Sequence, residues 1–243
     1  MAMLTLDSSS VYHEVHGTGD PVLLLHGGFC SLEMMRPQLE SLAADYEVHA
    51  VERPGHGRSA DVGGAFSYDQ SVTDTLAYLN AVGVIAPHIV GFSDGAIIGL
   101  LMGIRHPDRV RSLVAISGNL DPSGFRDTSG DPQDEQPGPD RTREWYNELS
   151  PDGPEHADDV VARLMELWTT EPQITPADLA AIAAPTLIMA GDRDVIAPDH
   201  TRLIVDGIPG AQLCIVPGTG HGLIDEKPDF VTYAIRDFLA RLG

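Results

Sequence analysis

Short apolar runs recur along this chain with helix-patterned segments between them, and that rhythm limits the folds open to it more than any other feature. Val22-Leu23-Leu24-Leu25 is apolar at every position, as a strand covered on both faces requires. Val48 to Val51, His88-Ile89-Val90, Ser112 to Ile116, Thr186 to Met189 and Gln212 to Val216 read as further strands. Helical patterns fall between or after them at Glu33 to Ala44, Ser67 to Val82, Ala96 to Ile104, Asp199 to Val205 and Pro228 to Leu242. Ser67 and Gln70 form a capping box, and Val72, Leu76 and Leu79 share one helix face. Strand–helix alternation of this kind predicts an α/β architecture: a mostly parallel central sheet with helices on both faces. Val11 to His16 alternates instead, with Gly17-Thr18-Gly19-Asp20 as its turn, so it is expected as an antiparallel addition at one edge.

The rhythm breaks between Asn119 and about Ala180. Residues 119–160 hold 12 acids against 3 bases, a net −9, together with six prolines. Asp121 to Arg141 reads as a long polar loop, and Val160, Val161, Leu164, Met165 and Trp168 then recur at helical spacing. The expected division is a core of residues 1–118 and 181–243 with a small helical lid at 119–180, placed over the C-terminal edge of the sheet.

Charge and composition exclude several functions. The whole chain of 243 residues carries 15 Lys plus Arg against 36 Asp plus Glu, a formal net charge of −21. A phosphate backbone would be repelled, so nucleic acid is not an expected partner, and neither is an anionic membrane surface. No apolar run approaches the roughly 20 residues of a membrane helix, and Met1 to Ser10 has no signal-peptide pattern. Cys30 and Cys214 make no disulfide framework, which favours a reducing, cytoplasmic location. A small-molecule substrate is the expected partner, with the chain a monomer or homodimer. The histidines outside the Gly-rich loops show no metal-ligand spacing, and there is no phosphate loop or dinucleotide fingerprint. Neither a metal nor a cofactor is therefore expected.

The chemistry concentrates in Gly91-Phe92-Ser93-Asp94-Gly95, which follows a strand and opens a helix. A turn that sharp presents the Ser93 hydroxyl above the strand ends and aims the Asp94 amide at a developing oxyanion, supported by the helix dipole. A serine needs a base, and the base needs an orienting group. His221 lies in the Gly-rich loop Pro217 to Gly222 after the last strand, and Asp192 and Asp194 lie after the strand before it. The chain order Ser, Asp, His is that of elbow enzymes. An acid beside the nucleophile, Asp94, suits the first turn of a helix, and its functional reading is a counter-ion for a substrate ammonium.

With these pieces the sequence resembles the α/β-hydrolase superfamily over nearly its whole length. Besides the elbow, His26-Gly27-Gly28, Arg53-Pro54-Gly55-His56-Gly57-Arg58-Ser59 and the G-x-x-D-x-x-x-P pattern at 191–198 match. The resemblance implies Asp194 as the acid, with Asp192 less favoured and a variant position near Asp121 as a third option. It implies Gly28 as the second oxyanion amide, with Phe29 the alternative, and a structural role for Arg53 to Ser59. The Ser-Asp-Gly elbow is similar to that of valacyclovir-hydrolase-like members, which act on amino-acid esters. The implied activity is cleavage of a carboxylic ester, lactone or amide of a small neutral or cationic substrate through an acyl-enzyme, without a cofactor. The same triad serves carbon–carbon bond hydrolases and cofactor-free perhydrolases, and some proteins on this scaffold are small-molecule receptors. The substrate pocket is expected to take Phe29, Phe92, Asp94, Trp145, Met165 and Trp168.

Overall fold

A computed structural model describes residues 2–6, 9–127 and 140–242. Eight strands form one sheet in the order β1-β2-β4-β3-β5-β6-β7-β8. The strands are β1 (Ala2–Thr5), β2 (Ser10–His16), β3 (Pro21–Leu25), β4 (Glu47–Val51), β5 (His88–Phe92), β6 (Ser112–Ile116), β7 (Thr186–Gly191) and β8 (Gln212–Val216). From β4 to β8 every neighbour is parallel, whereas β1 and β2 join antiparallel at one edge. The alternating Val11 to His16 run sits where its half-exposed pattern required.

The register explains the continuous apolar runs. Leu23, Leu25, Ile89, Leu113 and Ala115 point into the core on one face; Val22, Leu24, Val90, Val114 and Ile116 point into the core on the other. Helices α1 (Arg36–Leu42) and α8 (Pro228–Ala240) cover the second face. Helices α2 (Tyr68–Ala81), α3 (Asp94–Arg105) and α6 (Pro198–Gly207) cover the first. Ser67 caps α2 by accepting the Gln70 amide at 3.1 Å, which fixes where that helix begins.

The 119–180 segment contributes α4 (Arg141–Leu149) and α5 (Ala157–Thr170) between β6 and β7. Residues 128–139 of the expected Asp121 to Arg141 loop lie outside the described residues. On α5, Val160, Leu164 and Leu167 are buried while Met165 is 50% exposed, so the helix stripe is turned one position from the sequence reading. The segment is tied to the core at Asp61, whose carboxylate meets His156 Nε2 at 2.7 Å and also pairs with Arg163. Strand β1, helix α4 and the one-turn α7 (Leu223–Glu226) were not expected. They are short or weakly apolar, and their packing or position rather than their periodicity decides them.

The C-terminal ends of the parallel strands open onto one rim, where loops begin at His26, Glu52, Ser93, Ser117, Asp192 and Pro217. The crossing of β5 and α3 at this rim is held by two glycines. A Cβ on Gly91 would collide with the Gly95 carbonyl, and one on Gly95 with the Leu25 carbonyl. Neither obstacle is a flexible side chain, so relief requires moving the sheet. Gly95→Ala is expected to cost about 3 kcal/mol, a drop of roughly 6–12 °C in melting temperature followed by calorimetry or circular dichroism.

Candidate active site

Ser93 links β5 to α3 with φ 53° and ψ −116°, a conformation that L side chains rarely adopt. Its own amide bonds the Ile116 carbonyl at 2.8 Å, and its carbonyl receives the amides of Ala96 and Ile97. The strained residue is thus held from both sides, and its hydroxyl stands at the N-terminus of α3. Ser93 Oγ lies 3.0 Å from His221 Nε2, and His221 Nδ1 lies 2.8 Å from Asp194 Oδ1. A carboxylate only accepts, so Nδ1 carries the hydrogen and Nε2 is left to accept from the serine.

Asp194 is 3% exposed. Burial pushes its carboxyl towards the neutral form, but the His221 ring, the Ser117 hydroxyl and the Ile196 amide at 3.1 Å outweigh it and hold the group below the usual carboxylate range. Asp194 therefore stays ionised throughout neutral pH. Asp192 points elsewhere. It accepts the amides of Gly218 at 2.8 Å and Thr219 at 3.1 Å, and so shapes the turn that carries His221. Asp121 accepts the Ser123 amide at the start of a short 3-10 turn. Ser117, which sequence reasoning missed, occupies another strained position, at φ 55°, directly after β6.

Beside the serine, Gly27 and Gly28 pass close to the elbow. A Cβ on Gly27 would meet Ser93 Cβ at 3.2 Å, and one on Gly28 would meet Asp94 Oδ2 at 2.6 Å. The loop is held from beneath by Arg53, which is 8% exposed and donates to the carbonyls of His26 at 2.6 Å and Gly27 at 3.0 Å. His26 donates from Nδ1 to the Gly27 carbonyl at 2.7 Å and accepts the Arg53 amide on Nε2 at 3.2 Å. Burial, with the Arg53 charge next, keeps His26 well below the usual imidazole range and lowers His56 to about 3. Both histidines are neutral structural parts of the rim.

Asp94 is 3% exposed and already partnered. Its Oδ1 accepts Tyr68 Oη at 2.9 Å and Trp168 Nε1 at 3.0 Å, and its Oδ2 lies 3.8 Å from Arg53 Nη2. A cavity of about 330 Å³ opens on Ser93 and His221. Phe92, Asp94 and Trp168 line it as expected from sequence. Phe29, Trp145 and Met165 do not. Phe29 is buried and stacks on Tyr146 with ring centroids 5.1 Å apart, Trp145 carries the Arg141 guanidinium at 4.6 Å, and Met165 faces outward. Cys30, Met34, Tyr68, Asn119, Phe125 and Glu171 take part instead. They come from five separate stretches, and only folding brings them together.

Among the described residues, Asp61, His156 and Asp159 bring ligand atoms within 4.8 Å of one another. Arg163 pairs with both aspartates, so the cluster already carries a cation of its own.

An eight-stranded, mostly parallel sheet with a serine on a strained strand–helix turn defines the architecture of α/β hydrolases. The family model described as "Alpha/beta hydrolase family" matches residues 22–232, and the chain belongs to that family. Relatives include a protein from Azorhizobium caulinodans named putative carbamate hydrolase RutD, 28% identical over 96% of each chain. Another, from Xanthomonas campestris pv. campestris, is named a pimeloyl-[acyl-carrier protein] methyl ester esterase and is 28% identical over 94% of this chain and 98% of its own. The crystal structure of a hydrolase from Pseudomonas aeruginosa PA01 superposes with a TM-score of 0.81 at 24% identity, over 98% of this chain and 97% of that one. The protein is a hydrolytic enzyme. No helix among the described residues is long and apolar enough to cross a membrane.

The two aspartates after β7 separate experimentally. Asp194→Asn is expected to lower kcat by about 10³–10⁴-fold, the cost of leaving the His221 ring in the wrong tautomer. Asp192→Asn, which weakens only a turn, is expected to stay within about tenfold of wild type. Steady-state hydrolysis of an activated ester compares them, and equal losses would reassign the acid.

Proposed function

We propose that this enzyme is a serine hydrolase that cleaves carboxylic esters, or the related lactones, amides and carbamates, of small uncharged or cationic substrates through an acyl-enzyme. The observation that carries the reading is the unbroken chain from Ser93 Oγ through the His221 ring to the buried Asp194, opening on a cavity. Ser93 attacks the acyl carbon, His221 takes the proton and returns it to the leaving group, and water releases the acyl chain by the reverse sequence. Asp194 holds the ring and balances the imidazolium. The amides of Gly28 and Asp94 are the oxyanion donors in this reading. Gly28 lines the cavity and Phe29 does not, which supports the former. One such donor is worth about 3–4 kcal/mol in the barrier. The 119–180 segment acts as the lid, since Thr142, Trp168 and Glu171 supply part of the cavity wall.

Volume and charge support the substrate class. About 330 Å³ lies near the lower limit of ordinary ligand pockets, which suits a short acyl group. Asp94 and Glu171 line the wall, and among the described residues none that lines it is Lys or Arg. Arg53 sits behind Asp94 and is committed to it and to the loop carbonyls. A substrate carboxylate would therefore enter a mostly apolar wall beside Asp94 and Glu171, with no Lys or Arg among the described lining residues to meet it. Asp94 alone is a weaker ammonium site than its sequence position suggested, because Arg53, Tyr68 and Trp168 already answer its charge. Carbamate and methyl-ester cleavage, the activities in the names of the relatives, are both acyl transfers to water and fall within the class.

A fluorophosphonate is expected to label wild type at Ser93, and Ser93→Ala is expected to lose both the label and about 10⁶-fold in kcat. Retained turnover in that variant would overturn the mechanism. In a screen over neutral, cationic and anionic acyl esters, p-nitrophenyl butyrate is expected to exceed mono-p-nitrophenyl succinate in kcat/KM by more than about tenfold. Preference for the succinate would overturn the charge assignment and leave the mechanism standing.

A further inference from the structure

Trp168 stands in the last turn of α5 and reaches both residues to which the oxyanion amides are assigned. Its Nε1–H donates to Asp94 Oδ1 at 3.0 Å. Its ring edge covers Gly28 so closely that a Cβ there would meet Cζ2 at 2.5 Å. Trp168 is thus the place where the lid touches the two backbone segments that would grip the oxyanion.

The Asp94 carboxylate is the meeting point. It closes the elbow, since it directly follows Ser93. It faces Arg53, which bonds the carbonyls of His26 and Gly27, the two residues before Gly28. It also receives the lid through Trp168 and α2 through Tyr68. One buried group therefore joins three pieces of chain that lie far apart in sequence. Two amides act as an oxyanion site only when both lie about 3 Å from one point, and displacements near 1 Å are expensive in rate. Nothing else in the lid bonds to this group among the described residues.

We propose that Trp168 is a positioning residue that couples the lid to the oxyanion site: its seated indole holds the Asp94 and Gly28 segments at their working separation. The proposal rests on the reading of those two amides as oxyanion donors. Trp168 acts through Asp94 and Gly28 and takes no part in proton or acyl transfer. Two functions of the side chain are separable. The ring forms a wall of the cavity, and the N–H fixes Asp94.

The test compares Trp168→Phe and Trp168→Ala with wild type on p-nitrophenyl butyrate. Phenylalanine keeps a ring and loses the donor. Its kcat is expected to fall about tenfold, the loss of one buried hydrogen bond to a charged group, with KM within about twofold. Alanine is expected to raise KM as well, so phenylalanine rescues KM but not kcat. A butyl trifluoromethyl ketone, which adds to Ser93 and needs the oxyanion site, is expected to bind about tenfold more weakly to Trp168→Phe. The corresponding methyl ketone, which binds without addition, is expected to be unaffected. Unchanged kcat, or equal weakening of both ketones, would reduce Trp168 to a wall and overturn the proposal. The wild-type chain supplies a second measurement that needs no variant to fold. Of its two indole N–H signals, that of Trp168 is expected to exchange more slowly with solvent once the trifluoromethyl ketone is bound, and unchanged exchange overturns the proposal. Failure of a fluorophosphonate to label wild-type Ser93 would instead remove the underlying mechanism, so the two failures are distinct.

Discussion

The crossing of β5 and α3 is the constraint on which the rest depends. Two carbonyls, of Leu25 and Gly95, occupy the space where side chains would stand, so glycine is required at positions 91 and 95. Because the helix can approach that closely, Ser93 is forced above the sheet edge in a conformation its own side chain disfavours. The strain is met by bonds made to the Ser93 backbone and not to its hydroxyl, which remains available to His221. Stability is given up at one residue and recovered in the apolar strands on either side, whose side chains fill both cores.

Around that crossing the rim is built from groups held by polar partners, most of them buried. Arg53 ties down the 26–28 loop, Ser117 and the Ile196 amide hold Asp194, and Asp192 shapes the turn before His221. Each fixes a backbone segment, or the carboxylate that orients the His221 ring, at the edge of the cavity. This is the usual condition for preorganised chemistry, in which donors are already in place when charge develops. It also explains the buried charges. Arg53 and Asp94 are a costly pair to desolvate, and their retention fits a positioning role better than a stabilising one.

Much of this was legible in the sequence, for identifiable reasons. Strands buried on both faces leave unbroken apolar runs, which made β3 to β7 visible; β8 shows a similar run although Leu213 and Ile215 are exposed at the far edge, and β2 betrayed its antiparallel place beside the edge strand β1 by alternating. The elbow, the His221 loop and the 191–198 pattern are local motifs whose spacing is set by backbone geometry. The cavity wall was not legible in that way. Phe29, Trp145 and Met165 are large and apolar and lie at reasonable positions, but which face of α4 or α5 turns inward depends on how the 119–180 segment docks. Tyr68, Asn119 and Glu171 carry no local mark at all. Asp94 shows the limit most clearly. Its sequence position invited an external cation, and its cation is Arg53, distant in the chain and buried beside it.

Cys30 lines the same cavity as Ser93, so the site holds a sulfur alongside the serine hydroxyl. Burial, with the Asp94 charge next, pushes the Cys30 thiol up to about 12. Oxidants and electrophiles attack the thiolate and not the thiol. At physiological pH almost none of this sulfur is ionised, and the cavity presents it as a small apolar surface. A sulfur in this state adds packing to the cavity wall and offers little thiolate for an oxidant or electrophile to reach.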